Sequence, residues 1–167
     1  SNSLFIKDSV PIVAKKLELE NVAFSRLEIN SSDETTINLS TGIFDGLISN
    51  FNKSGLSIVP IAIGNDIKDP FEEAKRLGSY FLITGKLATS KNSIRLSIKL
   101  FETETKKLIW DETFDGDKSL DIFEEQDRLV ELVSDQLIGN GNIVLSDVYA
   151  KTRNKESENL TPFECLA

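Results

Sequence analysis

Between Ile94 and Leu100 the chain alternates without a break. Ile94, Leu96, Ile98 and Leu100 are apolar, and Arg95, Ser97 and Lys99 between them are polar. Successive side chains of a strand point to opposite faces, so this segment belongs to a sheet with one dry face and one wet face. The dry face calls for a covering layer.

The flanking residues supply it. After the strand, residues 103–106 read as a turn and residues 108–114 as a returning strand; before it, Ser90-Lys91-Asn92 make a turn behind a strand over residues 80–88. Upstream the pattern is of helices and strands in alternation. Residues 22–29 have strand character. Ile43, Phe44, Leu47, Ile48 and Phe51 recur at helical spacing, and Ser54-Gly55 ends that helix. Residues 56–63 form a nearly continuous apolar run, the pattern of a buried strand, and Pro60 either shortens it or places it near an edge. Gly64-Asn65-Asp66 breaks it. Asp69 with Pro70 and Glu72 announces a short helix that stops near Leu77-Gly78. Ser119 or Asp121 caps a last clear helix whose apolar face is Ile122, Phe123, Gln126, Leu129, Val130, Val133 and Leu137.

The predicted order is β-α-β-α-β-β-β-α. This is an α/β (α+β) two-layer sandwich: a mixed sheet of about five strands with helices mainly on one face. The first three strands are expected parallel or mixed, and the last three form an antiparallel meander. Three segments are expected: a lead-in arm or linker over 1–20, the α/β domain over 21–150, and a polar linker with the start of a following helical repeat over 151–167. A further helical stretch is expected to about Tyr149.

The chain has 167 residues and a net charge of -8, from 27 acidic and 19 basic residues. That balance argues against nucleic acid and against an anionic membrane surface as direct partners. No run approaches the roughly 20 apolar residues of a membrane helix. The lone Cys165 excludes an internal disulfide framework. The chain holds no Met, and Ser1-Asn2 resembles a tag scar, so an excised piece is expected, with any targeting or membrane segment outside it.

Chemistry is sparse. The absence of His removes the Ser-His-Asp triad and every His-based metal site. No glycine pattern spells a phosphate loop. Asp115, Asp117 and Asp121, with Glu112 nearby, offer oxygen ligands for a hard cation, but without the cadence of a calcium loop. The stronger reading is that they end a strand and cap a helix. Trp110 reads as a core anchor, and Glu124, Glu125, Asp127, Arg128 and Glu131 as a solvated helix face. Asp111 and Glu112 point to opposite sides of a strand and cannot act together as acid and base. No catalytic, cofactor-binding or metal residue is assigned, and no cofactor is expected.

Ser40-Thr41-Gly42-Ile43 running on to Leu47-Ile48-Ser49, then Gly55-Leu56-Ser57-Ile58-Val59 and Ala74-Lys75-Arg76-Leu77-Gly78, occur in an order and spacing that is distinctive. So do Leu108-Ile109-Trp110, Phe114-Asp115-Gly116-Asp117, Asp121-Ile122-Phe123 and Gln126-Asp127. Together they resemble the TolB amino-terminal-domain-like module of bacterial multidomain signalling proteins. In such proteins it precedes tetratricopeptide repeats and follows class III adenylate/guanylate cyclase domains or winged-helix transcription regulators. Asn159-Leu160-Thr161-Pro162-Phe163 is similar to the start of a first repeat helix. The chain departs from the pattern at Ala23-Phe24-Ser25-Arg26-Leu27, which lacks the usual proline, and at Thr41, where Asp is common.

The resemblance implies a non-catalytic accessory domain, sensory, regulatory or protein-interacting, in a membrane-associated and cyclase-type protein whose cyclase lies outside this chain. Its partners would be a protein or an adjacent repeat domain. Its location would be the periplasmic side of the membrane, or alternatively the cytoplasm. Two other functions stay open: a small-molecule-binding domain with its pocket between the sheet and the helix of Ile43 and Phe51, and an envelope scaffold like the first domain of TolB. No direct membrane contact by this fragment is expected.

Overall fold

The computed structural model describes residues 21–62 and 69–139. The expected arm over 1–20, the break at Gly64-Asn65-Asp66, the helical stretch to Tyr149, and the linker and repeat start over 151–167 with Cys165 lie outside the described residues. Among the described residues six strands and three helices follow in order: β1 (Asn21–Ser25), β2 (Glu28–Ile29), α1 (Glu34–Lys53), β3 (Ser57–Ile61), α2 (Pro70–Arg76), β4 (Phe81–Thr89), β5 (Ser93–Glu102), β6 (Leu108–Asp117) and α3 (Ile122–Ile138).

The strands form one mixed sheet in the order β3-β1-β4-β5-β6, with β2 also pairing β4. β3 and β4 lie parallel to β1 on either side of it, and β4, β5 and β6 form the expected antiparallel meander. The expected single strand over 22–29 is divided. Both pieces pair with β4, β1 at Phe81 to Ile83 and β2 at Lys86 and Leu87. Between them Leu27 dips into the core above Gly85, where any Cβ would stand 2.5 Å from its Cδ2. A straight strand cannot make that dip.

Helices α1 and α3 cover one face. Asp33 caps α1 by accepting the Thr36 N–H at 2.7 Å, so the helix starts earlier than its apolar stripe suggests. It ends at Gly55, whose φ of +93° favours glycine. Gly42 lies against Gln126, Gly46 against Val130, and Asn50 donates to the Ser134 hydroxyl at 2.9 Å. Equal steps of four on both helices mean that they run in the same direction.

Leu39, Ile43, Leu47 and Phe51 of α1 meet Leu129, Val133 and Leu137 of α3 over Ile94, Leu96, Ile98 and Leu100, all buried. Each such side chain contributes about 1.5–3 kcal/mol of burial. The short helix α2 packs on the other face, where Ala74, Phe71 and Leu77 join Ala23, Ile61 and Leu82. Helices therefore lie mainly, not wholly, on one side.

Candidate interaction surface

The segment that carries the family-like signature folds into β6, its turn and the first half of α3. β6 is an outer strand of ten residues. Its register places Trp110 opposite Leu100, Phe114 opposite Leu96 and Gly116 opposite Ile94, all toward the helices. Trp110 is half-buried and packs on the main core, as an anchor. The wet face carries Asp111 beside Lys99, Thr113 beside Ser97 and Asp115 beside Arg95. The Arg95–Asp115 pair is 3.1 Å apart and exposed on both sides, so it adds at most about 1 kcal/mol.

Alternation also decides which backbone groups of β6 look outward. The Lys118 N–H donates to the Asn92 carbonyl, and the Glu102 N–H to that of Lys107. Paired residues of an antiparallel ladder alternate between bonded and non-bonded positions. Counting in twos from either end, with the one-residue bulge opposite Leu100/Phe101, turns Gly116, Phe114, Glu112 and Trp110 toward β5. The N–H and C=O groups of Asp111, Thr113, Asp115 and Asp117 therefore point away from the sheet.

Two of these outward groups are held by α3. Glu125 Oε2 accepts the Asp117 N–H at 2.8 Å, and Arg128 Nη2 donates to the Asp115 carbonyl at 2.9 Å. The two side chains are paired with each other, Arg128 Nε to Glu125 Oε1 at 3.0 Å and Nη2 to Oε2 at 2.9 Å. Glu125 is only 5% exposed. The Arg128 guanidinium first, then the Asp117 N–H, hold its carboxyl below the usual range against the opposing effect of burial. The same pairing raises Arg128. Gly116 makes room: a Cβ there would lie 3.0 Å from Glu125 Oε2 and 3.3 Å from Ile94 Cβ.

This corrects two expectations for α3. Glu125 is not part of a solvated face, and Phe123 is not part of the apolar one; it is 72% exposed. With Asp121 as the cap, the helical turn aims Glu125, Leu129 and Val133 at the sheet and sends Phe123 outward. Leu120, 56% exposed, lies just before it, so the corner between β6 and α3 carries two exposed apolar side chains.

Of the remaining acids, Asp121 and Asp117 have structural partners. Asp121 Oδ1 accepts the Phe123 and Glu124 N–H groups, each at 3.0 Å. Asp117 accepts from the Ser119 hydroxyl and N–H, and these bonds lower its pKa. Asp111 and Glu112 fall on opposite faces, beside Lys99 and Ile98. Among the described residues no three acids, Cys or His are grouped to hold a metal ion. The space proposed for a small molecule between sheet and α1 is filled: Phe24 meets Phe44 at 4.7 Å and Phe51 at 6.1 Å between ring centroids.

The Glu125–Arg128 latch was missed by sequence reasoning. Its only trace is an E-x-x-R spacing after a glycine in a strand, which an ordinary surface pair shares.

Comparison with solved structures places the fold among bacterial proteins. The PelC dodecamer of Paraburkholderia phytofirmans aligns with a TM-score of 0.55 at 11% identity, over 72% of this chain and 89% of that one. Lipoprotein GNA1162 of Neisseria meningitidis aligns with a TM-score of 0.51 at 12% identity, over 70% and 96%. TolB of Acinetobacter baumannii aligns with a TM-score of 0.44 at 11% identity, over 72% of this chain and 29% of its own, too loose a likeness to argue from. No curated protein sequence matches. Residues 29–132 match the family model of the second domain of HilA/YgeH-like transcriptional regulators. The match spans most of the chain, from β2 through the latch, and the chain belongs to this family.

Proposed function

We propose that this domain is a non-catalytic regulatory module of a bacterial transcriptional regulator and that it works by binding protein. The observation that carries the reading is the outer strand β6, whose backbone groups are offered to a partner beside the exposed Leu120 and Phe123. The family description supports the regulatory setting. The acidic balance of -8 fits a domain that leaves DNA contact to another part of the protein. A cyclase partner, a repeat domain and a membrane anchor have no support among the comparisons above, whereas a winged-helix regulator is a setting that the sequence resemblance also allows.

In-frame deletion of this domain from the full gene is expected to alter transcript levels and leave cyclic nucleotide levels unchanged. The opposite outcome refutes the regulator reading in favour of a cyclase.

A second reading is an envelope scaffold on the periplasmic side. The shared fold with GNA1162, described as a lipoprotein, favours it. Among the described residues no helix is long and apolar enough to cross a membrane. An alkaline phosphatase fusion to the full gene that is active at this domain would support it; a cytoplasmic reporter active there would remove it.

A further inference from the structure

We infer that the outer edge of β6 over residues 111–115 is a strand-addition site for an extended, basic segment of a partner protein, with the Glu125–Arg128 pair as its end stop. The inference rests on the protein-binding reading above and names the partner's chemistry. An unpaired strand edge is a template for another strand. The opposite edge of the sheet is poorly suited to that use: β3 has five residues and holds Pro60, which has no N–H to give. β6 has ten residues, and no described residue pairs with its outer side.

The outward groups divide into two sets. The Asp117 N–H and the Asp115 carbonyl are taken by Glu125 and Arg128, which imitate the next strand's donors and acceptors at that end. The N–H and C=O of Asp111 and Thr113, and the N–H of Asp115, have no such partner among the described residues. An added strand can therefore run along Asp111 to Asp115 and must stop at the latch.

The charges select the occupant. On the wet face, rows run Lys99 to Asp111 and Arg95 to Asp115 from β5 to β6. A Lys or Arg next in each row continues the alternation, and opposite charges across strands are stabilising. A second copy pairing antiparallel through Thr113 would set Asp111 against Asp115 twice over, which like-charge repulsion disfavours. On the helix side the neighbours are Trp110, the exposed Glu112, Phe114 and Leu132; the last lies one turn beyond Arg128 on the same stripe of α3 and is 38% exposed. The occupant therefore carries basic residues on one face and mainly apolar ones on the other, where Glu112 accepts a further basic residue between Trp110 and Phe114.

The test uses the full chain, a synthetic peptide alternating Lys and Val, and its Glu-Val counterpart, each at about 1 mM so that weak binding registers. Amide hydrogen exchange is followed residue by residue. The Lys-Val peptide is expected to slow the Asp111, Thr113 and Asp115 amides at least about tenfold, as capture in a ladder requires, and the Glu-Val peptide to leave them unchanged. Thr113→Pro removes an outward N–H and no bond to β5, so it is expected to abolish the effect while the remaining amides keep their protection. Asp111→Lys keeps the N–H and reverses the charge, and should remove most of the effect.

Three results overturn the inference: these amides already slow in the chain alone, equal response to both peptides, or a response confined to the Leu120–Phe123 corner. An effect of domain deletion on transcripts with no peptide capture at β6 sinks the edge assignment and spares the regulatory reading. Capture at β6 with no effect of deletion does the reverse.

Discussion

Replacing Glu125 by Gln keeps the side chain's size and one oxygen to accept the Asp117 N–H. It removes the charge that faces Arg128 and puts an NH2, which cannot accept from Arg128 Nε, in place of the other oxygen. Two guanidinium bonds at 2.9 and 3.0 Å then lose their ionic partner. A hydrogen bond to a charged group contributes about 1.5–3 kcal/mol when the partner stays dry. Here the Arg128 side chain is 45% exposed, and water recovers much of that loss. The expected cost of Glu125→Gln at neutral pH is therefore about 1–2 kcal/mol, well short of the 3–5 kcal/mol for opening a fully buried pair. Glu125→Ala, which also strands the Asp117 N–H, should cost about 2–3 kcal/mol.

The pH dependence separates this account from mere packing. The carboxyl of Glu125 is held below its ordinary value by Arg128 and by the Asp117 N–H. A depressed acid contributes stability that is full above the unfolded pKa, about 4.3, and is lost as pH falls through the folded value. Once protonated, Glu125 resembles the Gln variant. The two proteins should differ most near neutrality and converge in acid. Urea unfolding followed by the fluorescence of Trp110, the sole Trp, measures the gap at each pH. A gap that is absent at neutral pH, or one that does not narrow in acid, would refute the ionic latch.

Substitutions at four further positions probe the same construction by urea unfolding. Gly116→Ala puts a Cβ 3.0 Å from Glu125 Oε2 and 3.3 Å from Ile94 Cβ, and should cost about 1–3 kcal/mol as the latch is pushed off the strand. Gly42→Ala meets only the flexible end of Gln126, which can swing aside, so the helix-propensity gain of about 1 kcal/mol should leave it neutral or more stable. Gly46→Ala meets the stiff β-branched Val130 at 3.0 Å and should rank below Gly42→Ala; the reverse order would show that α1 and α3 approach differently. Asp121→Ala should cost about 1 kcal/mol through the lost acceptor for the Phe123 and Glu124 N–H groups, and Asp121→Asn should restore most of it.

Side-chain pattern made the layers legible. The alternation of Ile94 to Leu100 and the helical spacing of Ile43, Leu47 and Phe51 each name a buried face, and those faces meet in the main core. Caps were legible where a residue type is tied to a backbone need, as at Asp69 and Asp121. The divided first strand was not, because the dip of Leu27 depends on Gly85, far along the chain. Phe123 and Glu125 exchanged places for a related reason. Composition puts Phe inside and Glu outside, but the phase of α3 is fixed by its cap, and Gly116 and Arg128 make a dry carboxylate tolerable there.

The candidate site lies deeper still out of sequence reach. Period two says which side chains of a strand face the core; it is silent on which backbone groups have a neighbour, because every residue of a strand except proline carries the same N–H and C=O. Whether β6 is central or outermost follows only from the full strand order, in which β4 takes the middle and β6 stands at one end. Once that order is known, residues with no visible purpose acquire one. Glu125 and Arg128 close the last outward pair, Gly116 admits them, and the acids at 111 and 115 stand along the stretch left open. A segment that holds a family-like signature without catalytic groups is what such an edge requires, since strand addition is carried by backbone and needs side chains only to set where it stops and what it repels.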